Sequence, residues 1–242
     1  MSGQNTSTAV MQRRRPTPPG ALEYFPTQPW AVRAVCEFLI GLGEPLGSLD
    51  CWEPTCGEGF MARPLDEYFR RVRATDVFRY GPDHGICDFL AAPSDMFASW
   101  VFMNPPFRPA QRFIAQGLDR AKRGLCVILR TAILEGGDRY EGLFEQFPPS
   151  YALIFTERVV MLEGRLIKAN APDPFNLDPD TGQPRKASSA TSYCCLIWIH
   201  GQSDTRLRLT GRVREKLERE SDYPDYAEQW AKIASHTGGG LL

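Results

Sequence analysis

Residues 104–107 read Asn-Pro-Pro-Phe and bring together three groups that can grip one planar molecule. Asn104 supplies an amide oxygen. The Pro105 carbonyl is a second acceptor, with no N–H on its own residue to compete. Phe107 supplies an aromatic face. Two acceptors and a flat ring suit a planar heterocycle that carries an exocyclic amine. Pro105 and Pro106 can neither continue a sheet ladder nor enter a helix interior, so they stiffen a turn and hold Asn104 and Phe107 at a fixed separation. Arg108 follows directly and is close enough to meet a phosphate. For the tetrapeptide alone, a plain proline-rich turn after a buried strand is the competing reading.

Upstream lie groups whose order suits a nucleotide-like ligand. Glu53-Pro54-Thr55-Cys56-Gly57-Glu58-Gly59 contains a Gly-x-Gly turn, where backbone can pass close under a ligand. Asp76 lies about 20 residues further on, the spacing at which a carboxylate reaches ribose hydroxyls. Asp88-Phe89 pairs an acceptor for an amino group with an aromatic neighbour. Thr27, within Tyr24-Phe25-Pro26-Thr27-Gln28-Pro29-Trp30, is a candidate N-cap, and a capped helix start also attracts a carboxylate. Each has a bland reading as turn or cap. Taken in order, the acids after the glycine turn favour a ligand.

The elements that must position these groups alternate as in an α/β domain. A helix is expected after Thr27, with Val32, Val35, Cys36 and Leu39 at i, i+3, i+4 and i+7, fading at Gly41 and Gly43. A short buried strand follows at 49–52, then the glycine turn, then a helix from Phe60 with Leu65, Tyr68 and Phe69 on its apolar face. Strands are expected at 72–75, 98–103, 124–130, 151–155 and 193–200. The stretch 98–103 delivers Asn104 at a strand's carboxyl end, where open α/β sheets bind ligands. Ala110, Phe113, Ile114, Gly117, Leu118 and Ala121 mark a helix. Residues 131–139 read as a glycine-bearing loop before a short helix on Tyr140, Leu143, Phe144 and Phe147. Residues 169–185, rich in Pro, Asp and Asn, have no period and read as a long loop. A charged helix at 212–220 and a short one holding Tyr226, Trp230 and Ile233 end the chain. Cys194 and Cys195 face opposite sides of their strand as packing residues.

Composition sets the bounds. The 242 residues can bury a full core. A net charge of −1 gives no global pull toward nucleic acid, so any such contact comes from local basic patches. Seven cysteines without a Cys-x-x-Cys pair and three histidines argue against a zinc site or a disulfide framework. They fit a reducing cytoplasm. No apolar run approaches the roughly 20 residues of a membrane span. Residues 1–20, with Arg13-Arg14-Arg15, read as a disordered tail.

With these motifs in this order, the chain resembles class I S-adenosylmethionine-dependent N6-adenine DNA methyltransferases, and most of all the small ones encoded by phages and prophages. The likeness rests on Phe25-Pro26-Thr27-Gln28-Pro29-Trp30, Trp52-Glu53-Pro54-Thr55-Cys56-Gly57-Glu58-Gly59, Asn104-Pro105-Pro106-Phe107, Glu157-Arg158-Val159 and Lys186-Ala187-Ser188-Ser189-Ala190-Thr191-Ser192-Tyr193. It implies a Rossmann-like α/β fold: a seven-stranded, mostly parallel sheet with the last strand antiparallel and helices on both faces. It implies a catalytic domain over 21–203 with a loop insertion at about 166–185, and a helical extension over 204–242. The implied cofactor is S-adenosyl-L-methionine. Thr27 would meet its carboxylate. Glu53, Thr55, Gly57 and Gly59 would line its methionine part, Asp76 would hold the ribose, Asp88 and Phe89 its adenine, and Asn104 would also contact the cofactor. Asn104, Pro105, Pro106 and Phe107 would be catalytic, with Phe107 and Arg108 on the substrate and no metal. The implied partner is DNA, with RNA as the alternative; oligomeric state is left open.

The resemblance implies a flipped target base, because N6 cannot reach a methyl donor inside a duplex. No Pro-Cys dipeptide occurs, so the usual cytosine-C5 nucleophile motif is absent. No large recognition domain is visible, which implies weak or short-site specificity. The rival readings are RNA or protein-glutamine methylation, a nicotinamide dehydrogenase, and a degenerate methyltransferase that only binds.

Overall fold

The structure, a computed structural model, describes residues 23–226. The expected tail at 1–20 and the helix expected around Trp230 and Ile233 lie outside the described residues.

The strands are β1 (Asp50–Glu53), β2 (Arg71–Asp76), β3 (Gly85–Ile86), β4 (Ala98–Met103), β5 (Ala121–Arg130), β6 (Tyr151–Ile154), β7 (Pro172–Leu177), β8 (Pro184–Lys186), β9 (Tyr193–Ile199) and β10 (Arg206–Leu209). Eight of them form one sheet in the order β10-β6-β9-β5-β4-β1-β2-β3. Its pairs are parallel except at β9, which runs antiparallel between β5 and β6. The expected Rossmann-like, mostly parallel sheet is present, with one strand more than expected. The antiparallel strand is β9; the extra strand β10 follows it and lies parallel to β6 at the edge.

Both faces of the sheet are covered, and this explains why the central strands read as unbroken apolar runs. Along β4, Trp100 and Phe102 enter one core while Val101 and Met103 enter the other. The first core lies under helix α1 (Pro29–Gly41) and the short helix α2 (Ala62–Asp66), with Val32, Val35, Leu39 and Leu65 buried. The second lies under helix α3 (Ala110–Arg120), which contributes Ile114. Adjacent Cys195 and Cys194 divide between the two cores in the same way.

Several local expectations need correction. Gln28, not Thr27, is the residue before α1, and it makes no side-chain cap; Pro29 opens the helix. Helix α2 ends at Asp66, so Tyr68 and Phe69 pack from the turn after it. The segment read as a long loop at 169–185 contains the antiparallel hairpin β7–β8. Residues 137–144 form one α-turn and one π-turn rather than a regular helix. The extension after residue 203, expected to be helical, begins with β10. Its charged helix is only the turn Arg214–Leu217.

That extension is anchored by a group without an apolar signal. Arg33 on α1 is 2% exposed and makes two-pronged contacts to Glu67 (2.9 and 2.9 Å) and Asp222 (2.7 and 2.8 Å). Its Nη1 also donates to the Leu217 carbonyl at 2.7 Å.

Candidate active site

Four neighbouring strands end near one cavity of about 220 Å³. Glu53 is the last residue of β1, Asp76 the last of β2, Asn104 follows β4 directly, and Asp88 follows β3 by a short turn. Glu53, Thr55, Asp76, Asp88, Phe89, Thr27, Asn104 and Pro106 all line that cavity. The loop before the glycines, through Thr55 and Cys56, and the proline corner, through Asn104 and Pro106, therefore share one space, whereas Gly57, Gly59, Pro105, Phe107 and Arg108 do not line it.

The glycine turn is built for close approach. Gly57 has φ +54° and Gly59 φ +83°, backbone that side chains disfavour. A Cβ at Gly57 would stand 2.3 Å from the Tyr24 ring, and one at Gly59 2.7 Å from His84. The Gly57 N–H donates to Asp76 Oδ2 at 2.9 Å, while Phe78 N–H donates to Oδ1 at 3.1 Å. Asp76 thus pins the turn after β1 to the turn after β2.

Glu53 is the unusual carboxyl group. It is 1% exposed, and its Oε2 has no hydrogen-bond partner. Burial pushes its pKa well above the usual carboxylate range. The nearby Asp76 charge adds to this, and a hydrogen bond from Ala62 N–H opposes it. Thr55 Oγ1 is a second buried polar atom without a partner. Asp88 Oδ1 accepts from Leu90 N–H at 3.0 Å, which leaves its other oxygen uncommitted. Phe89 is buried edge-on against Trp52, with ring centroids 5.1 Å apart, and lies 5.7 Å from Phe113.

The Asn104 amide has a defined orientation. Its Nδ2 donates to the Phe25 carbonyl at 2.8 Å and to Thr27 Oγ1 at 3.0 Å. Both amide hydrogens are committed, so the network assigns Oδ1 as the free end. Thr27, expected as a helix cap, instead orients this amide, and its own hydroxyl hydrogen remains available. Pro105 is buried behind the corner. Phe107 is half-buried; its N–H donates to Glu23 at 2.8 Å and its ring lies 5.1 Å from Phe25. The Arg130 guanidinium stands 3.8 Å from the centre of the Phe107 ring. Arg108 is exposed and makes no polar contact among the described residues.

Residues 23–27 strap across the cavity. The Tyr24 hydroxyl accepts from Glu58 N–H at 3.2 Å, its carbonyl accepts from Gly164 N–H at 2.8 Å, and its ring lies 4.7 Å from Tyr80. Burial pushes the Tyr80 phenol up to about 12, helped by the charges of Asp76 and Glu58. Sequence reasoning singled out Thr27 in this segment and passed over Tyr24 and Phe25 beside it. It took Phe113 as helix packing, whereas Phe113 also lines the cavity. Tyr80 and Arg130 stand in a loop and at a strand end, where no periodicity points to them.

No protein-family profile and no curated protein matches the chain. Solved structures do. The methyltransferase subunit of a type I restriction-modification system from Streptococcus thermophilus superposes with a TM-score of 0.54 at 11% identity, over 92% of this chain and 55% of that one. A protein from Listeria monocytogenes, described as a class I S-adenosylmethionine-dependent methyltransferase, superposes with a TM-score of 0.51 at 11% identity, over 88% and 71%. This is the class I methyltransferase fold. At such identity the fold is the shared property, and the chain spans about half the length of the Streptococcus subunit. In a methyltransferase fold of this order, the cavity lies past the carboxyl ends of β1, β2 and β4, the edge at which open α/β sheets take their ligands.

Proposed function

We propose that the chain transfers a methyl group from S-adenosylmethionine to the N6 amine of an adenine extruded from DNA. The observation that carries this reading is the Asn104 amide, turned by Phe25 and Thr27 so that Oδ1 is free at the wall of the cavity that also holds Glu53, Asp76 and Asp88. The fold likeness supports methyl transfer. The neighbour from a restriction-modification system favours DNA over RNA.

The residues fit the cofactor. Glu53 Oε2 and Thr55 Oγ1 are buried polar atoms that lack a partner, suited to its amino-acid end. The uncommitted Thr27 hydroxyl hydrogen suits a carboxylate. Asp76, at the end of β2, suits ribose hydroxyls, and the uncommitted oxygen of Asp88 suits an amino group. When bound, S-adenosylmethionine supplies an electrophilic methyl on a positively charged sulfur.

The protein's own contribution is positional. The N6 lone pair of adenine is delocalised into its ring, which makes the amine a poor nucleophile. Asn104 Oδ1 and the Pro105 carbonyl would accept hydrogen bonds from the N6 amine and draw the nitrogen toward tetrahedral geometry; when the N6–CH3 bond forms as the S–CH3 bond breaks, S-adenosylhomocysteine is left and one N6 proton is released to water. Pro105 and Pro106 hold these acceptors still, so little reorganisation is left for the moment of reaction. Phe107 gives the extruded base an aromatic face, worth about 1–3 kcal/mol against the few kcal/mol of unstacking.

Labelled methyl transfer tests the reading. The purified protein is given S-adenosylmethionine with random-sequence duplex DNA, RNA or protein, and the products are separated as nucleosides and amino acids. N6-methyldeoxyadenosine is expected, spread over many short contexts. Asn104→Ala should lose about 100- to 1,000-fold in kcat, the effect of removing one preorganised transition-state partner. Label in RNA or protein alone, or an undiminished Asn104→Ala, would overturn it.

A further inference from the structure

Arg130 ends β5, the strand beside β4, and its guanidinium carbon stands 3.8 Å from the centre of the Phe107 ring and 5.7 Å from that of Phe25. A base stacked on Phe107 lies at the same height, so guanidinium and base exclude each other from that face. The resting place is poorly satisfied. Arg130 Nε is buried with no hydrogen-bond partner, and no carboxylate pairs with Arg130 among the described residues. Its polar neighbour is the Tyr193 side chain, opposite it in the β5–β9 register. Two more arginines without carboxylate partners stand nearby. Arg108 follows Phe107, and Arg158 donates to Ala190 O and Ser192 Oγ, while the Ser192 carbonyl accepts from Thr131 N–H, next to Arg130.

A planar cation on an aromatic face, with an N–H to spare and no counter-charge among the described residues, is matched to a polyanion that delivers a flat base. We propose that Arg130 is a placeholder for the extruded base. Its guanidinium covers Phe107 until the base takes that face, and then pairs with a phosphate of the same strand. This rests on the nucleic-acid reading above and adds to it a residue outside the proline corner. Arg130 would be a substrate-binding residue: it acts on the base's arrival, and the acceptors at Asn104 and Pro105 act on the amine.

The test compares wild type, Arg130→Ala, Arg130→Lys and Asn104→Ala on single-stranded (dA)12, a probe with extrudable adenines and no duplex to open. Binding is measured across a salt series, and methyl transfer as KM and kcat. Arg130→Ala is expected to raise KM about tenfold, the loss of one charge-assisted contact, with the smaller change in kcat. Its plot of log affinity against log salt should flatten by about 0.7, one phosphate on a single strand. Arg130→Lys should keep the salt slope, since it keeps the charge, while losing the planar stack. Calorimetry should show S-adenosylmethionine binding within twofold of wild type in both, which confirms an intact fold. An unchanged salt slope in Arg130→Ala, or a loss confined to kcat, overturns the placeholder and leaves Arg130 as a support for Phe107. Asn104→Ala separates the two claims: it should bind (dA)12 with the wild-type slope and fail to methylate. A wild type that neither binds nor methylates nucleic acid overturns both the placeholder and the reading beneath it.

Discussion

Glu53→Gln keeps the size of the side chain and deletes its charge, and the structure makes opposite demands on the result. Glu53 is 1% exposed, with Oε2 unpaired; burial, then the Asp76 charge, raise its pKa well above the ordinary 4.5. The folded protein therefore keeps a proton that the unfolded chain has released once pH exceeds 4.5. Because the folded state binds the extra proton, this stability is complete below pH 4.5 and declines as pH rises toward the folded pKa. The decline is about 1.4 kcal/mol for each pH unit over which Glu53 stays protonated. Glutamine has no proton to hold, so the variant should lack this slope and exceed wild type in stability at neutral pH. Urea unfolding of both proteins from pH 4 to 8 measures it. On the ligand side the order reverses. A cationic cofactor favours the carboxylate form, so binding should expel the Glu53 proton, and affinity should rise up to about tenfold per pH unit below its pKa. Glu53→Gln should bind S-adenosylmethionine about tenfold more weakly, for want of one charge-assisted hydrogen bond. Calorimetry in two buffers of different ionisation heat counts the released proton. Parallel stability profiles, or a variant that binds as tightly as wild type without proton release, would refute the reasoning.

Two further substitutions probe the geometry. Thr27→Val removes one of the two acceptors that hold the Asn104 amide and leaves an N–H unpaired. It should lower kcat about tenfold, equivalent to roughly 1.4 kcal/mol, while Thr27→Ser restores it. Single-turnover methyl transfer checks this, and an unchanged Thr27→Val rate would remove the amide-orientation argument. Gly57→Ala places a Cβ 2.3 Å from the Tyr24 ring on backbone at φ +54°. It should depress the melting temperature by about 2–4 °C for each kcal/mol of strain. It should also weaken cofactor binding. A Tyr24→Ala, Gly57→Ala double variant should recover part of both losses if the clash is their cause, and strictly additive losses would say that it is not.

The sheet was legible because its central strands are buried on both faces, and such strands announce themselves as unbroken apolar runs. The stretch at 98–103 is read to the residue, with Asn104 just after it. The backbone of the two candidate turns was legible for the same kind of reason. Glycine suits φ +54° and +83° best, and two adjacent prolines leave the chain few ways to turn. What escaped was polar and non-local. Thr27 looked like a helix cap because capping depends on the next few residues, whereas its real partner, Asn104, is 77 positions away. Arg33 sits on the buried face of α1, satisfied by carboxylates 34 and 189 positions distant, and nothing in a helical period can supply such partners. The β7–β8 hairpin was missed because Pro172, Pro174 and Pro184 mask its strands. A two-stranded ribbon tolerates prolines that a central strand would not.

The strap at 23–27 changes how the two halves of the cavity must be understood. Its Tyr24 hydroxyl meets the glycine turn through Glu58 N–H, while Phe25 and Thr27 hold the Asn104 amide and Glu23 holds the Phe107 N–H. Four hydrogen bonds within five residues thus reach both the glycine turn and the proline corner. Tyr24 and Phe25 are neighbours in the chain, so the Glu58 and Asn104 contacts are tied through one short stretch of backbone. Coupling between two binding events is reciprocal by thermodynamic necessity. If the cofactor steadies the strap, the base is held better, and the base must then hold the cofactor better by the same factor. On the proposed reading, a segment that both borders the cofactor side and holds the Asn104 amide would let methyl donor and acceptor amine favour each other's binding, and measuring the affinity of each with and without the other tests it.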